Sequence, residues 1–217
     1  MADKPRYITC EDCCDPKYNP GYHIGSDGNP EPVHKTLDPS QFKQPLMLDI
    51  GAGGLSSDDK FTAVDLHTNA DIKATMWDIP LPDGSVEAIF SSNALEHVGR
   101  FEVVPTLREW HRLLRRGGRL QVVVPDLEWA CRWWLEHQTT KWDMAIIYGH
   151  QKHEGEYHKT GFTPAILQEH FNNTKLPWKL NTWYYMEGED RVEKGEGKER
   201  HNVTQRVIVW ETEKYEI

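Results

Sequence analysis

Asp49-Ile50-Gly51-Ala52-Gly53-Gly54 and, fourteen residues past Gly51, Asp65 are the side chains and spacings here that carry a specific chemistry. The apolar run Leu46, Met47, Leu48, Ile50 ends in glycines, the pattern of a buried parallel strand feeding a tight turn. Gly51 and Gly53 lack a Cβ, so the backbone can bend sharply there and approach a ligand closely. A second run, Phe61-Thr62-Ala63-Val64, ends in the acid Asp65. Strand, glycine turn, strand, acid is the nucleotide-binding half of an open α/β sheet, in which the acid accepts hydrogen bonds from ribose hydroxyls.

Histidines supply the other candidates. His97 lies in Leu95-Glu96-His97-Val98, and His150, His153 and His158 fall within nine residues between Gly149 and Lys159. Imidazole titrates near neutrality and also ligates zinc. The second cluster lacks the i, i+4 spacing that would set two rings on one helix face, and Gly149, Gly155 and Gly161 mark it as a loop. It is expected to form a pocket wall or lid rather than a metal site, with His158 pointing inward as a base or hydrogen-bond partner. Cys10-x-x-Cys13, with Cys14, His23 and His34 nearby, is half of a zinc spacing. No second cysteine pair follows, so ordinary reduced thiols are expected and no metal is assigned.

The elements that must position these residues follow from period and punctuation. Residues 1–44 are rich in Pro, Gly, Asp and Asn without a sustained period, and predict an irregular arm held down by Tyr7, Tyr18, Tyr22 and Phe42. Residues 45–217 predict one α/β domain. A short strand is expected around Ile72–Thr75 and another over Val86–Ser91. Val103, Leu107, Trp110 and Leu114 fall at helical spacing, with Gly117-Gly118 as the stop. Leu120–Val124 has the composition of a central strand covered on both faces. Leu127, Cys131, Trp134 and Leu135 outline a helix, and Thr163-Pro164 starts another with an N-cap threonine and a first-turn proline. Trp178–Met186 and Val203–Trp210 predict two strands, joined by a charged, solvated loop over 187–201.

Two ligands commonly sit on such a glycine turn. A dinucleotide needs a third glycine in G-x-G-x-x-G, where Ser56 stands, and an acid about 20 residues further on, after a full helix. Fourteen residues leave room for a turn or two of helix, a poor partner for a pyrophosphate. S-adenosylmethionine carries no phosphate, so the spacing favours it.

Further along, LDIGAGG, VDL, WDIPLPDGSVEAIFSSNALEHV and LREWHRLLRRGGRLQVVVPDLE occur in that order. Together they resemble the class I S-adenosylmethionine-dependent methyltransferases, most closely a type 11-like branch with a shortened first helix, over residues 46–171. The resemblance implies a doubly wound, mostly parallel, seven-stranded Rossmann-like sheet whose last strand is antiparallel. It also implies that Asp49 and the Gly51-Ala52-Gly53 backbone hold the methionine part of S-adenosyl-L-methionine, that Asp65, followed by Leu66, takes the ribose, and that Asp78 with the Ile79 amide recognises adenine. Ser92 and Asn93 then end a strand at the methyl-donor end, with His97 one turn beyond as a candidate catalytic residue. Asp78 serves equally well as an Asx-turn residue before Pro80, and His97 as a packing residue. One departure stands in the loop, where Leu55 and Ser56 follow Gly54 in place of a further glycine.

Composition narrows the partners. The net charge is −9 over 217 residues, opposite in sign to a nucleic-acid binder, and the basic stretch Arg112, Arg115, Arg116, Arg119 suits a helix C-terminus. No apolar run approaches the roughly 20 residues of a membrane span, and the first residues lack a signal peptide's apolar stretch. The expectation is a cytoplasmic methyltransferase acting on a small polar molecule, without nucleic-acid or membrane partners. A non-catalytic S-adenosylmethionine-binding protein and a nicotinamide-dependent oxidoreductase are the alternatives. The acceptor pocket is expected from the arm, the Val124-Pro125-Asp126 turn and the segment Tyr148–Phe162.

Overall fold

The computed structural model describes residues 22–24, 30–32, 36–54, 56, 58–137, 142–194 and 199–215. The arm contributes a small hairpin, β1 (Tyr22–Ile24) and β2 (Pro30–Pro32), and a segment from residue 36 whose Leu37 and Phe42 pack on the core. Tyr7, Tyr18, Cys10, Cys13, Cys14 and His34 lie outside the described residues, as does the side chain of His23.

Next come β3 (Met47–Ile50), β4 (Thr62–Val64), β5 (Val86–Ser92), α1 (Val103–Leu113) and β6 (Leu114–Pro125). They are followed by α2 (Leu127–His137), α3 (Trp142–Tyr148), α4 (Pro164–Asn173), β7 (Trp178–Lys194) and β8 (Glu199–Lys214). The sheet order is β4-β3-β5-β6-β8-β7. The first four strands are mutually parallel, and β8 runs antiparallel to both β6 and β7.

Among the described residues the sheet has six strands, against the seven expected. The segment near Ile72 makes a single parallel bridge to Val64 instead of a strand. Ile72 donates to the Ala63 carbonyl and accepts from the Asp65 amide, while the Asp71 carboxylate takes the Ala63 N–H that a longer ladder would use. The charged stretch 187–201 is not a loop either. Residues 187–194 and 199–206 pair with each other beyond the end of β6 and prolong the β7–β8 hairpin.

The core lies mainly on one face of the sheet. Leu48, Ile50, Ile89, Leu120, Val122 and Val124 meet Leu107 and Trp110 of α1 and Leu167 and Phe171 of α4. On the opposite face Val123, Val207 and Val209 form a smaller cluster with Phe90. No helix lies between β3 and β4 among the described residues, in keeping with the short spacing from Gly51 to Asp65.

At the level of single groups the structure corrects some expectations and meets others. α1 ends at Leu113, and the chain passes directly into β6, so the glycines Gly117 and Gly118 lie within the strand rather than stopping the helix. Thr163 caps α4 by accepting from the Ile166 amide, with Pro164 in the first turn. α2 forms as expected, but Ala130 is its buried residue, while Cys131, Trp134 and Leu135 are exposed.

Candidate functional site

The C-terminal ends of β3, β4 and β5 open into a cavity of about 300 Å³, where open α/β sheets bind ligands. Gly51 (φ +78°) lets the chain turn off β3, and a Cβ there would sit 2.3 Å from that of Ala94. The loops after β3 and β5 are therefore in contact because position 51 has no side chain. Gly53 (φ +66°) faces open space, a cradle that any side chain would fill.

Asp65 fastens this turn. Its Oδ2 accepts from the Gly53 amide at 3.0 Å, and its Oδ1 from the amides of His67 and Thr68 at 2.8 and 3.0 Å. Burial opposes its ionisation, but these amides together with the Thr68 side chain outweigh it and hold the carboxyl below the usual range. Oδ1 is saturated and Oδ2 keeps one acceptor position, so the side chain can take one further hydroxyl. Asp49 is buried, and its Oδ2 accepts from the Ser56 hydroxyl at 2.8 Å. Ser56 thus anchors the loop where the resemblance leads one to expect glycine. Burial raises the Asp49 carboxyl above its ordinary range.

Of the expected cofactor residues, Gly51, Gly53, Asp65, Leu66 and Asn93 line the cavity, and His97 lines it too. Asp49, Ala52, Asp78, Ile79 and Ser92 do not. Ile79 is buried, and its amide donates to Glu109 Oε1 at 2.9 Å, which leaves that N–H unavailable to a base. Glu109 is in turn held by Arg112, whose guanidinium also bonds Asp83 and the carbonyls of Ile79 and Leu81. This basic residue staples the 79–83 segment to α1, and Arg115 pairs with Glu87, so much of the basic stretch is engaged internally. Thr75, Met76 and Trp77 form the wall where Asp78 and Ile79 were expected.

The segment Tyr148–Phe162 does contribute a wall, through His153, Gly155, Glu156 and Lys159. Gly155 packs so closely under His67 that a Cβ would lie 2.7 Å from its ring. His158, expected to point inward, instead stands behind His97, with ring centroids 4.9 Å apart and edge to face. Its Nδ1 lies 2.9 Å from the Ile146 carbonyl. The Val124-Pro125-Asp126 turn does not reach the cavity. Buried Asp126 caps α2 through the Glu128 and Trp129 amides and pairs with Arg206 at 2.6 Å.

Glu96 is the residue that sequence reasoning missed. It is 1% exposed, and neither carboxyl oxygen has a hydrogen-bond partner. Burial pushes its carboxyl up to about 8. The only local signal is its apolar setting, Ala94-Leu95 before it and Val98 after it. Burial lowers the His97 imidazole, and the nearby Tyr157 and Asn93 carbonyls only partly offset this. Burial and the neighbouring His97 bring His158 down to about 4. Both rings are thus neutral at physiological pH and carry a nitrogen lone pair.

The family profile described as "Methyltransferase domain", type 11, matches residues 42–122, the span of the glycine turn, Asp65, Glu96 and His97. Solved structures share the fold. A S-adenosylmethionine-dependent methyltransferase of Methanosarcina mazei superposes with TM-score 0.52 at 14% identity, over 83% of this chain and 99% of that one. A Bacillus halodurans protein with a provisional methyltransferase name gives 0.52 at 10%, over 78% and 92%. A protein solved in connection with converting a disulfide bond into a thioacetal group during echinomycin biosynthesis gives 0.53 at 12%, over 81% and 78%. No curated protein matches the chain in sequence.

Proposed function

We propose that this chain, whose residues 42–122 match a methyltransferase domain family and whose fold is shared with solved methyltransferases, is an active class I S-adenosylmethionine-dependent methyltransferase for a small polar acceptor. The observation that carries the reading is one cavity joining the Gly51–Gly53 turn and Asp65 to His97 and the 153–159 wall. The residues present fit S-adenosyl-L-methionine. Gly53 offers an open cradle, Asp65 Oδ2 has room for one ribose hydroxyl, and Met76 and Trp77 give an apolar flank for a flat base.

When bound, S-adenosylmethionine supplies an electrophilic methyl group on a positive sulfur that leaves as a neutral thioether. The chain's residues have mainly to align and to exclude water. In this reading Asp65 and Leu66 grip the ribose, and the Gly51-Ala52-Gly53 backbone, steadied by Asp49 through Ser56, holds the methionine end. Asn93 borders the acceptor, with Ser92 behind it accepting from the Asn93 side-chain amide at 3.3 Å. Asp78 supports the adenine wall from behind rather than through the Ile79 amide. His67, His153 and Gly155 close the mouth. If the acceptor is a hydroxyl or an ammonium, neutral His97 takes its proton, with His158 holding the His97 ring in place.

No helix among the described residues is long and apolar enough to cross a membrane. Adjacent Cys13 and Cys14 suit a reducing compartment, so we place the enzyme in the cytoplasm. The acidic balance favours a small acceptor over RNA. The test is calorimetry with S-adenosylhomocysteine and with NADH, followed by labelled methyl transfer into small-molecule extracts. Heat with the first and none with the second supports the assignment, while no heat with either form of the sulfur cofactor removes it. RNA binding with a steep salt dependence would withdraw the small acceptor.

A further inference from the structure

We propose that Glu96, His97 and His158 form a binding site for one divalent first-row transition-metal ion at the wall of the cavity. The inference goes beyond the methyl-transfer reading and does not depend on it; where an ion is bound it takes the His97 lone pair, and His97 then holds the ion instead of accepting a proton.

The first ground is the unsatisfied carboxylate. Buried polar side chains nearly always find partners, yet both Glu96 oxygens lack one. What lies near them is imidazole, with His158 Nε2 3.9 Å from Glu96 Oε1. One candidate ligand atom from each of Glu96, His97 and His158 lies within 4.8 Å of the others. Two ligands about 2.1 Å from a shared ion stand roughly 3.4 Å apart in tetrahedral geometry. The trio is somewhat open, and small χ rotations would close it.

The second ground is how the rings are held. The Nδ1 of His158 faces the Ile146 carbonyl at 2.9 Å, and that of His97 faces the Tyr157 carbonyl at 3.1 Å. A carbonyl only accepts, so each Nδ1 carries the proton and each Nε2 keeps its lone pair. Metal-bound histidines are fixed in this way, with the non-ligating N–H donated to a carbonyl or carboxylate. The Ile146 carbonyl therefore leaves the His158 Nε2, the atom 3.9 Å from Glu96, free to ligate, and the Tyr157 carbonyl likewise leaves one nitrogen of His97 free.

The third ground is mechanical. The amides of Lys159 and Thr160 both donate to the Glu96 carbonyl, at 2.8 and 3.1 Å, and the Thr160 hydroxyl to the Val98 carbonyl at 2.8 Å. The turn bearing Glu96 and His97 is thus tied to the strand of chain that follows His158, and the three ligands cannot drift apart independently. Two imidazoles and one carboxylate suit zinc, cobalt, manganese or ferrous iron better than magnesium or calcium. His97 also lines the cavity, so the ion would border the acceptor's end.

The test uses the full chain, stripped with chelator and titrated with Co2+ and Mn2+ in the absence of cofactor and acceptor. One ion per chain is expected, with the Co2+ visible spectrum of nitrogen and oxygen ligands. Glu96→Gln and His97→Ala should each weaken binding at least tenfold, as judged in variants whose circular dichroism matches the parent. His97 is partly exposed, so its variant keeps the test open if the buried change misfolds. The triple change Cys10→Ser, Cys13→Ser, Cys14→Ser should leave Co2+ affinity within threefold. No binding, binding unchanged in both ligand variants, or sulfur-to-cobalt charge-transfer bands that vanish in the cysteine variant would each overturn the proposal. Because neither S-adenosylmethionine nor an acceptor is present, the outcome is separate from that of the methyltransferase assignment.

Discussion

The two ends of the cavity are built on opposite terms. At the glycine end the charged group is closed off by backbone, for Asp65 receives three amides and keeps one acceptor position. At the histidine end a carboxyl group is sealed from water without a hydrogen-bond partner, beside two rings whose Nδ1 atoms face carbonyls. The first arrangement is complete and needs only a ligand of matching shape. The second is costly as it stands, because burying an unpaired polar group costs on the order of 1–3 kcal/mol. A fold keeps such a feature where something else offsets it.

The largest expected effect comes from breaking the junction between the two ends. In Gly51→Val the Cβ would lie 2.3 Å from Ala94, at a φ that β-branched residues avoid. Ala94 directly precedes the turn carrying Glu96 and His97, so both ends should suffer together. We expect a loss of about 2–4 kcal/mol in stability and no measurable binding of S-adenosylhomocysteine. Denaturant melts and calorimetry would check this, and a variant that loses only one function would show that the ends are independent.

Asp65→Ala attacks the glycine end alone. It should weaken cofactor binding by about 1–3 kcal/mol, the cost of losing a charged acceptor for ribose. A pH signature should accompany it. The folded carboxyl sits below the unfolded value of about 3.9. The stabilisation it gives is therefore present above that value and is lost as pH falls through its folded value. In the variant this part of the acid limb should be missing, which thermal melts between pH 5 and about 2.5 would show.

His158→Ala attacks the other end. His158 does not line the cavity but packs edge to face on His97 at 4.9 Å. Methyl transfer should fall roughly tenfold or more through the loss of a positioned His97, while S-adenosylhomocysteine affinity changes less than twofold. A parallel fall in cofactor affinity would mean that the two ends are not separable.

These ends differed in how far the sequence revealed them. Gly51, Gly53 and Asp65 are a short-range signal, since the turn, the second strand and the acid all lie within fifteen residues. α1 and α4 were equally legible, one through its apolar period and one through Thr163-Pro164. Glu96 was not, because an acid in a short turn reads as solvated and its burial is imposed by segments 60 residues away. The lid contacts of Gly155 with His67 are likewise long-range. The expected adenine group failed for a similar reason, because Glu109 on α1 captures the Ile79 amide and no pattern around Ile79 announces it. The pairing over 187–194 and 199–202 is not legible because those segments are almost wholly charged or polar, with Val192 the single apolar side chain, so strand period leaves little trace there.

The smallest effect should come from the seam between the ends. Gly155 belongs to the 153–159 wall, and His67 follows Asp65 on the glycine side. A Cβ at 155 would meet the His67 ring at 2.7 Å and the His153 ring at 3.3 Å. Unlike Ala94 opposite Gly51, His67 is an exposed side chain, and it can swing into solvent at little cost. Gly155→Ala should therefore change stability by less than about 1 kcal/mol. Its consequence is geometric, since displacing His67 widens the mouth without touching Asp65 or His97. Cofactor should then leave a few-fold faster while its association rate stays within twofold, as stopped-flow fluorescence of the cavity's Trp77 would report. A drop in affinity as large as that of Asp65→Ala would mean that the wall is part of the ribose site itself, and the division into two ends would have to be redrawn around it.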